Sequence, residues 1–243
     1  YNVFTVTFAP FQSIRCCEQI RVDLAYADIK VTMTGLASGL INGPLGNTHC
    51  CFEDIGILRS IPNLVILSPA DGVGIAKAVF AAAECDKPVY IRLTGGANNP
   101  IVYNDDIDMK IGEAIELESG DNLTIFATGT MVYYSLQVAK ILRQKGISAS
   151  VWDMHTIKPI DRVAIEDAVR KNKLIVTVEE HSVIGGLSSA VAECVSSYKN
   201  SPSQLAIGID DFFPKPGDYQ FMLKQCGLTV EQIAKKILDT LKK

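Results

Sequence analysis

Short apolar runs alternate with helical patterns in two series along this chain, and a stretch without regular periodicity separates the two series. Apolar β-branched runs predict buried strands, whereas apolar residues three and four positions apart predict one face of a helix. Strands that alternate with helices are typical of parallel sheets covered by their connecting helices. We therefore predict an α/β fold with two three-layer domains and mostly parallel sheets, at residues 1–98 and 120–243, joined by a linker at 99–119.

The individual elements follow from the same periodicities. The predicted strands are Val3–Phe8, which we expect to be buried, and Ile29–Thr34, Leu64–Leu67, Val89–Leu93, Ala114–Leu117, Asn122–Ala127, Ser148–Asp153, Leu174–Glu179 and Leu205–Ile209. The predicted helices are Gln12–Ala27, Glu53–Ile61, a helix from the N-cap Asp71 to Cys85, Val132–Lys145, Asp161–Val169, Leu187–Ser197 and a last helix that begins at the capping box Thr229–Gln232.

Bulk properties exclude several classes of function. A net charge of −4 without a basic cluster gives no basis for nucleic-acid binding. No apolar run approaches the roughly 20 residues of a membrane helix, so we expect no membrane partner. The chain begins inside an apparent strand without a secretory signal, so we expect residues upstream of Tyr1 to be missing. The seven cysteines lack metal-type spacing and are expected to be thiols in the cytoplasm.

Candidate binding residues follow the predicted strands of the first series. Ligands of open α/β sheets lie beyond the carboxyl ends of the strands. Phe8 and Phe11 come directly after the first strand, where their rings either hold a flat heteroaromatic ligand or belong to the core. His49 lies at a glycine-rich junction between a loop and a helix, where it either relays a proton or is structural.

Ordered motifs in both halves resemble one known family. In the first half they are Thr7–Phe11, Glu18–Arg21, Gly43–His49, Leu58–Asn63 and Ser68–Asp71; in the second half they are Asp153–Asp161, Val178–His181 and Gly185-Gly186. Together they resemble the pyrimidine-binding and C-terminal domains of transketolases. The likeness runs nearly from end to end, and it is strongest to the C-terminal subunit of split bacterial transketolases.

The resemblance implies an enzyme that transfers a two-carbon ketol unit between sugars or sugar phosphates with thiamine diphosphate and Mg²⁺. Phe11 would stack on the aminopyrimidine of the cofactor, Phe8 would line its pocket, and His49 would contact the substrate. The diphosphate and the metal would be bound by an N-terminal partner subunit, in a homodimer or a heterotetramer.

The resemblance also implies that this chain lacks a catalytic residue of its own. The family's catalytic glutamate belongs to a motif that would lie upstream of Tyr1, and Glu18 and Glu53 lie on helices in the wrong place to replace it. We therefore expect the chain to be inactive without the N-terminal segment and the partner subunit.

Three positions depart from the family's substrate pocket. Leu45 replaces an aspartate that bonds a substrate hydroxyl, Ala37 replaces a histidine, and Gly95 replaces the arginine that grips the substrate phosphate. Arg92 comes too early to take over that role and is interpreted as structural. These departures indicate an unusual or less phosphorylated sugar as the substrate.

The remaining polar clusters are interpreted as structural. The run Glu179-Glu180-His181 is expected to support the C-terminal domain, and His155 is expected at the surface or at an interface. The acidic stretch Asp105-Asp106-x-Asp108 is interpreted as a solvated linker and not as a metal site.

Two further functions remain open at this stage. The chain resembles deoxyxylulose-phosphate synthases and the β subunits of 2-oxo acid dehydrogenases, which consume a 2-oxo acid. It could equally be a non-catalytic subunit whose only role is dimerisation.

Overall fold

The computed structural model describes residues 1–96 and 99–242, so the predicted domain boundary at residue 98 and the terminal Lys243 lie outside the described residues. The strands are β1 (Val3–Phe8), β2 (Val31–Ser38), β3 (Val65–Leu67), β4 (Val89–Thr94), β5 (Ile115–Glu118), β6 (Leu123–Ala127), β7 (Ala149–Asp153), β8 (Thr156–Lys158), β9 (Leu174–Ser182) and β10 (Ser203–Ile209). The α-helices are α1 (Ala9–Gln12), α2 (Cys17–Gln19), α3 (Asp54–Arg59), α4 (Gly72–Glu84), α5 (Met131–Arg143), α6 (Arg162–Lys171), α7 (Leu187–Val195), α8 (Tyr219–Gln225) and α9 (Val230–Leu241).

Two sheets of five strands each organise these elements. The first sheet has the order β1-β2-β4-β3-β8, and the second has the order β10-β9-β6-β7-β5. Within them only β8 and β5 run antiparallel to their neighbours. The predicted α/β fold with two mostly parallel sheets is confirmed.

Strand β8 was not predicted from the sequence, although it ties the two halves of the chain together. It comes from the second half, yet it pairs with β3 of the first sheet, with Leu67 opposite Thr156 and Ile66 opposite Lys158. Three residues are too few to show a period-two pattern, and the partner strand lies far away in sequence. No local pattern could therefore reveal this pairing.

The expected burial of β1 is wrong. The strand forms as predicted, but Val3 is 46% exposed and Val6 is 59% exposed. The reason is its position, because β1 is an edge strand that pairs only with β2 within the described part of the chain. Apolar, β-branched composition indicates a strand but does not by itself decide whether a second sheet or helix covers it.

The single helix predicted at Gln12–Ala27 is also wrong. Helix α1 ends at Gln12, where the predicted helix was expected to begin. The next residue, Ser13, donates from its Oγ to the carbonyl of Ala9 at 2.6 Å. Such side-chain bonds to the backbone compete with helix continuation. The chain resumes as α2 and then widens into a π-helix at Ile20–Tyr26, a rare conformation with i→i+5 bonds.

Two helices begin at the caps predicted from the sequence, α4 at Asp71 and α9 at Thr229, and Asp161 caps α6 in the same way. Asp71 Oδ1 accepts from Gly74 N at 3.0 Å, and Asp161 Oδ1 accepts from Ala164 N at 2.9 Å. Thr229 and Gln232 form a reciprocal capping box at the start of α9. These side chains satisfy N–H groups that the first turn leaves unpaired, which explains why the helix starts could be read from the sequence.

One buried cluster spans both sheets. Met33 and Ile66 of the first sheet belong to the same apolar cluster as Phe126 and Ile175 of the second. The shared core holds the second domain beside the first sheet. None of the helices among residues 1–96 and 99–242 combines the length and the apolar character that crossing a membrane requires.

Candidate functional site

The two predicted cofactor-binding phenylalanines lie side by side at the carboxyl end of β1. Phe8 is the last residue of the strand, and Phe11 lies in the short helix α1 that follows. Their ring centroids are 6.2 Å apart with an interplanar angle of 69°, which is an edge-to-face arrangement. Phe8 is 38% exposed and Phe11 is half-buried, so neither ring is a core side chain.

His49 joins the same aromatic cluster. Its ring centroid lies 6.1 Å from that of Phe8 and 5.5 Å from that of Phe11. The loop that carries it leaves β2, passes through a 3-10 turn at Gly43–Leu45 and returns through a bridge between Gly39 and Cys51. The structure therefore brings together all three residues that the sequence singled out, and we call them the Phe8–Phe11–His49 cluster.

Arg15 is a fourth member of this surface that the sequence reasoning missed. Its guanidinium carbon lies 4.1 Å from the centroid of the Phe11 ring, within cation–π distance, and the side chain is exposed. The four-residue spacing between Phe11 and Arg15 in the sequence could have indicated this contact. It was obscured because the helix was predicted to begin at Gln12.

The three departures from the family pocket have distinct local structures. Leu45 is 57% exposed on the 3-10 turn, and Ala37 takes a left-handed φ of 52°. Gly95 has a φ of +72°, and a Cβ there would lie 1.7 Å from Asn99 Oδ1. A larger side chain at position 95 would thus be strained in its backbone and would require the Asn99 side chain to move.

Arg92 is structural, as predicted. Its side chain is buried, and its Nε donates to both carboxylate oxygens of Asp54 at 3.0 Å. Its Nη2 donates to the carbonyls of Cys51 and Glu180, and Tyr90 Oη donates to Asp54. Burial opposes the charge on Arg92, but Asp54 together with Tyr90 and Glu180 outweighs burial, and the pKa of the guanidinium is raised. Asp54 accepts from both Arg92 and Tyr90, and Arg92 also donates to two carbonyls, so hydrogen bonds support this buried ion pair.

Glu179 and Glu180 also make hydrogen bonds within the chain. Glu179 accepts from the backbone N–H groups of Leu187 and Ser188 at the start of α7, and burial raises its pKa to about 7. Glu180 accepts from Leu40 N, Thr130 Oγ1 and Tyr219 Oη. These contacts agree with the structural interpretation and place Glu180 between the two domains.

The two remaining histidines are buried and neutral. His181 Nδ1 donates to Ser182 O at 2.7 Å, its Nε2 accepts from Gly56 N, and burial lowers its pKa to about 4. His155 was expected at the surface or at an interface, and the structure contradicts the surface location because only 1% of the residue is exposed. The segment around it crosses to the first sheet, where Ser68 N donates to His155 O at 2.7 Å, so the side chain is enclosed and burial lowers its pKa to about 4.

The acidic stretch after the first domain is exposed and paired with lysines. Asp106 contacts Lys77, and Asp108 contacts Lys110. Within the described ranges 1–96 and 99–242, no group of three His, Cys, Asp or Glu side chains could hold a metal ion.

The fold and the cluster define a class of protein: an α/β protein of two sheets with an aromatic binding edge beyond the first strand. Comparison with known families gives the family itself. The model of the transketolase pyrimidine-binding domain matches residues 1–99, and the model of the transketolase C-terminal domain matches residues 112–233. The chain belongs to the transketolase family.

Individual relatives agree with this assignment. An apulose-4-phosphate transketolase subunit of Phocaeicola vulgatus is 40% identical over 243 residues, covering 100% of this chain and 77% of that one. The 6-deoxy-6-sulfo-D-fructose transketolase subunit SqwH of Clostridium sp. strain MSTE9 is 37% identical over 233 residues, covering 96% of this chain and 71% of its own. A solved split-gene transketolase, described as an inactive β4 tetramer, superimposes with a TM-score of 0.87 at 36% identity, over 98% of this chain and 75% of that chain. The resemblance to C-terminal subunits of split transketolases is confirmed.

Proposed function

We propose that this chain is the C-terminal subunit of a split, thiamine-diphosphate-dependent transketolase that transfers a two-carbon ketol unit between sugars. The Phe8–Phe11–His49 cluster carries the proposal, because three half-exposed rings meet at the carboxyl edge of the first sheet in a chain of this family. The division into a pyrimidine-binding domain at 1–98, a linker at 99–119 and a C-terminal domain at 120–243 belongs to the same proposal.

The cluster is suited to the pyrimidine end of the cofactor. The family uses thiamine diphosphate, which supplies the nucleophilic chemistry of ketol transfer when it is bound. Two edge-to-face phenylalanine rings at an exposed edge offer the apolar surface on which a flat heteroaromatic ring stacks. Phe11 would stack on that ring and Phe8 would line the side of the pocket.

His49 would contact the substrate at the same edge. Its Nδ1 lies 3.0 Å from Thr48 Oγ1, which orients the ring, and leaves Nε2 to bond a substrate oxygen. Because the ring also contacts both phenylalanines, a substrate bound to His49 would lie next to the cofactor. Positioning of this kind is the contribution that a protein makes to cofactor chemistry.

A partner subunit would complete the site. The diphosphate and Mg²⁺ would be held by an N-terminal subunit, in a homodimer or a heterotetramer, and this chain would be inactive without it. The solved relative described as an inactive β4 tetramer supports this arrangement. We place the assembly in the cytoplasm, since each of the seven cysteines is free.

Reconstitution tests the proposal. The chain is combined with a diphosphate-binding partner subunit, thiamine diphosphate and Mg²⁺, and transfer from a ketose to an aldose is measured without pyruvate. Ketol transfer supports the proposal. Pyruvate consumption would assign the chain to the deoxyxylulose-phosphate synthases or the 2-oxo acid dehydrogenases, and an assembly that binds no cofactor would identify a dimerisation subunit.

A further inference from the structure

A crevice lies between the two domains and is lined by residues of both. It has a volume of about 260 Å³, and the lining residues used below are Ile41, Asn99, Thr130, Tyr134, Tyr219 and Gln220. Ile41 follows β2 and Asn99 follows β4, so the crevice lies at the carboxyl edge of the same sheet as the cluster. The backbone continues from Ile41 to Asn42, whose Nδ2 donates to His49 O at 3.4 Å.

Glu180 lies beneath this crevice and sets the polarity of two lining hydroxyls. Thr130 Oγ1 donates to Glu180 Oε2 at 2.8 Å, and Tyr219 Oη donates to the same oxygen at 2.6 Å. A hydroxyl has one proton and two lone pairs. Because both protons are directed at the carboxylate, the two hydroxyls can offer only acceptors to a ligand.

The crevice contains no cation to bind a phosphate. Its described lining residues are all uncharged. A carboxylate under the floor and hydroxyls that act as acceptors disfavour an anion but suit the O–H donors of a polyol.

We propose that this crevice binds the neutral, hydroxyl-bearing end of the sugar substrate, so that the enzyme selects unphosphorylated sugars. The proposal rests on the proposed function and names its substrate class. The relatives are named for apulose 4-phosphate and a sulfo sugar. This chain would therefore differ from these relatives in the part of the site that binds the far end of the substrate.

The test compares matched sugars in the reconstituted enzyme. Transfer is measured with D-xylulose against D-xylulose 5-phosphate as donors, and with D-erythrose against D-erythrose 4-phosphate as acceptors. We expect kcat/KM for the neutral sugar to exceed that for its phosphate by roughly tenfold or more, the worth of one charge-assisted contact.

A variant with a new cation sharpens the comparison. Gln220→Lys places an ammonium group at the crevice, and we expect it to shift the ratio toward the phosphorylated sugar by roughly tenfold. Gln144→Lys is the matched control. Gln144 is exposed at the far end of α5, ten residues or about 15 Å along the helix from Tyr134, and should leave the ratio unchanged.

The outcomes separate this inference from the proposed function. Transfer that favours the phosphorylated sugars, or equal ratios in Gln220→Lys and Gln144→Lys, overturns the inference and leaves the transketolase function in place. If no ketol transfer occurs, the proposed function is wrong. Saturation-transfer NMR of D-erythrose on the same complex then decides whether the crevice binds a neutral sugar. Binding that Gln220→Lys alone alters supports the crevice, whereas no binding, or the same change in both variants, refutes it.

Discussion

Glu180 Oε1 accepts a hydrogen bond from the backbone N–H of Leu40 at 2.6 Å, although 140 residues separate the two in sequence. Glu180 lies in β9 of the second sheet, and Leu40 begins the loop that leads from β2 to His49. The approach requires Gly39, which has a φ of +78° and whose Cβ position would lie 2.3 Å from Glu180 Oε1. One buried carboxylate thus fixes the start of the loop that carries the candidate substrate residue.

Glu180→Gln is expected to destabilise the chain by roughly 1–3 kcal/mol, because an amide brings its own donors toward three groups that already donate. The free energy of unfolding in urea measures the loss. Glu84→Gln is the control, since Glu84 is exposed at the end of α4, and it should change stability by less than about 0.5 kcal/mol. Equal losses in the two variants would contradict the role of Glu180.

Phe11→Ala is expected to weaken thiamine diphosphate binding in the reconstituted complex by roughly two- to tenfold, the worth of one aromatic contact. Isothermal titration of the complex with the cofactor provides the measurement. The fold should persist because Phe11 is only half-buried. Phe80→Ala removes a ring that is 69% exposed on α4 and should leave the affinity unaltered. If Phe11→Ala binds the cofactor as the unchanged chain does, Phe11 has no part in the cofactor site.

His49→Ala is expected to lower kcat/KM for ketol transfer by roughly ten- to a hundredfold through the loss of one polar contact to the substrate. Cofactor affinity should change much less. His49→Asn retains a side-chain donor and should recover part of the rate. The assignment fails if kcat/KM is unchanged, or if cofactor affinity falls by at least as large a factor as kcat/KM.

His155 should make stability depend on pH. Its folded pKa is about 4, whereas its ordinary value is 6.5, so the folded protein keeps the ring neutral while the unfolded chain takes up a proton. Its contribution is therefore complete above pH 6.5 and is lost as the pH falls toward 4. His155→Gln removes this dependence and should lose less stability than the unchanged chain between pH 7.5 and pH 5, by roughly 1–2 kcal/mol.

Urea unfolding of both proteins at the two pH values measures this difference. Other buried groups titrate in the same range: the pKa of His181 is lowered to about 4, and burial raises the pKa of Asp153 and of Glu179 to about 7. They are present in both proteins, so the difference between the proteins isolates His155. If the two proteins lose the same free energy of unfolding between the two pH values, His155 is not held neutral in the fold.

Much of the candidate site could be predicted because its signals are local. The aromatic pair Phe8 and Phe11 lies at the end of a strand that its own composition reveals, and His49 follows a segment that contains two glycines and a proline. Their common location also followed, since neighbouring parallel strands end at the same edge of a sheet. The contact between Phe11 and Arg15 was missed because the helix was predicted to begin at Gln12, after Phe11.

The order of strands and helices, the capped helix starts and the two mostly parallel sheets were determined by the sequence itself, because periodicity and capping act between residues a few positions apart. The tertiary structure alone decided that β1 is an exposed edge, that β8 completes the first sheet, that His155 is buried and that Glu180 reaches Leu40. Each of these depends on which distant segment lies alongside. That choice is made by the packing of the whole chain, and no short stretch of sequence contains it.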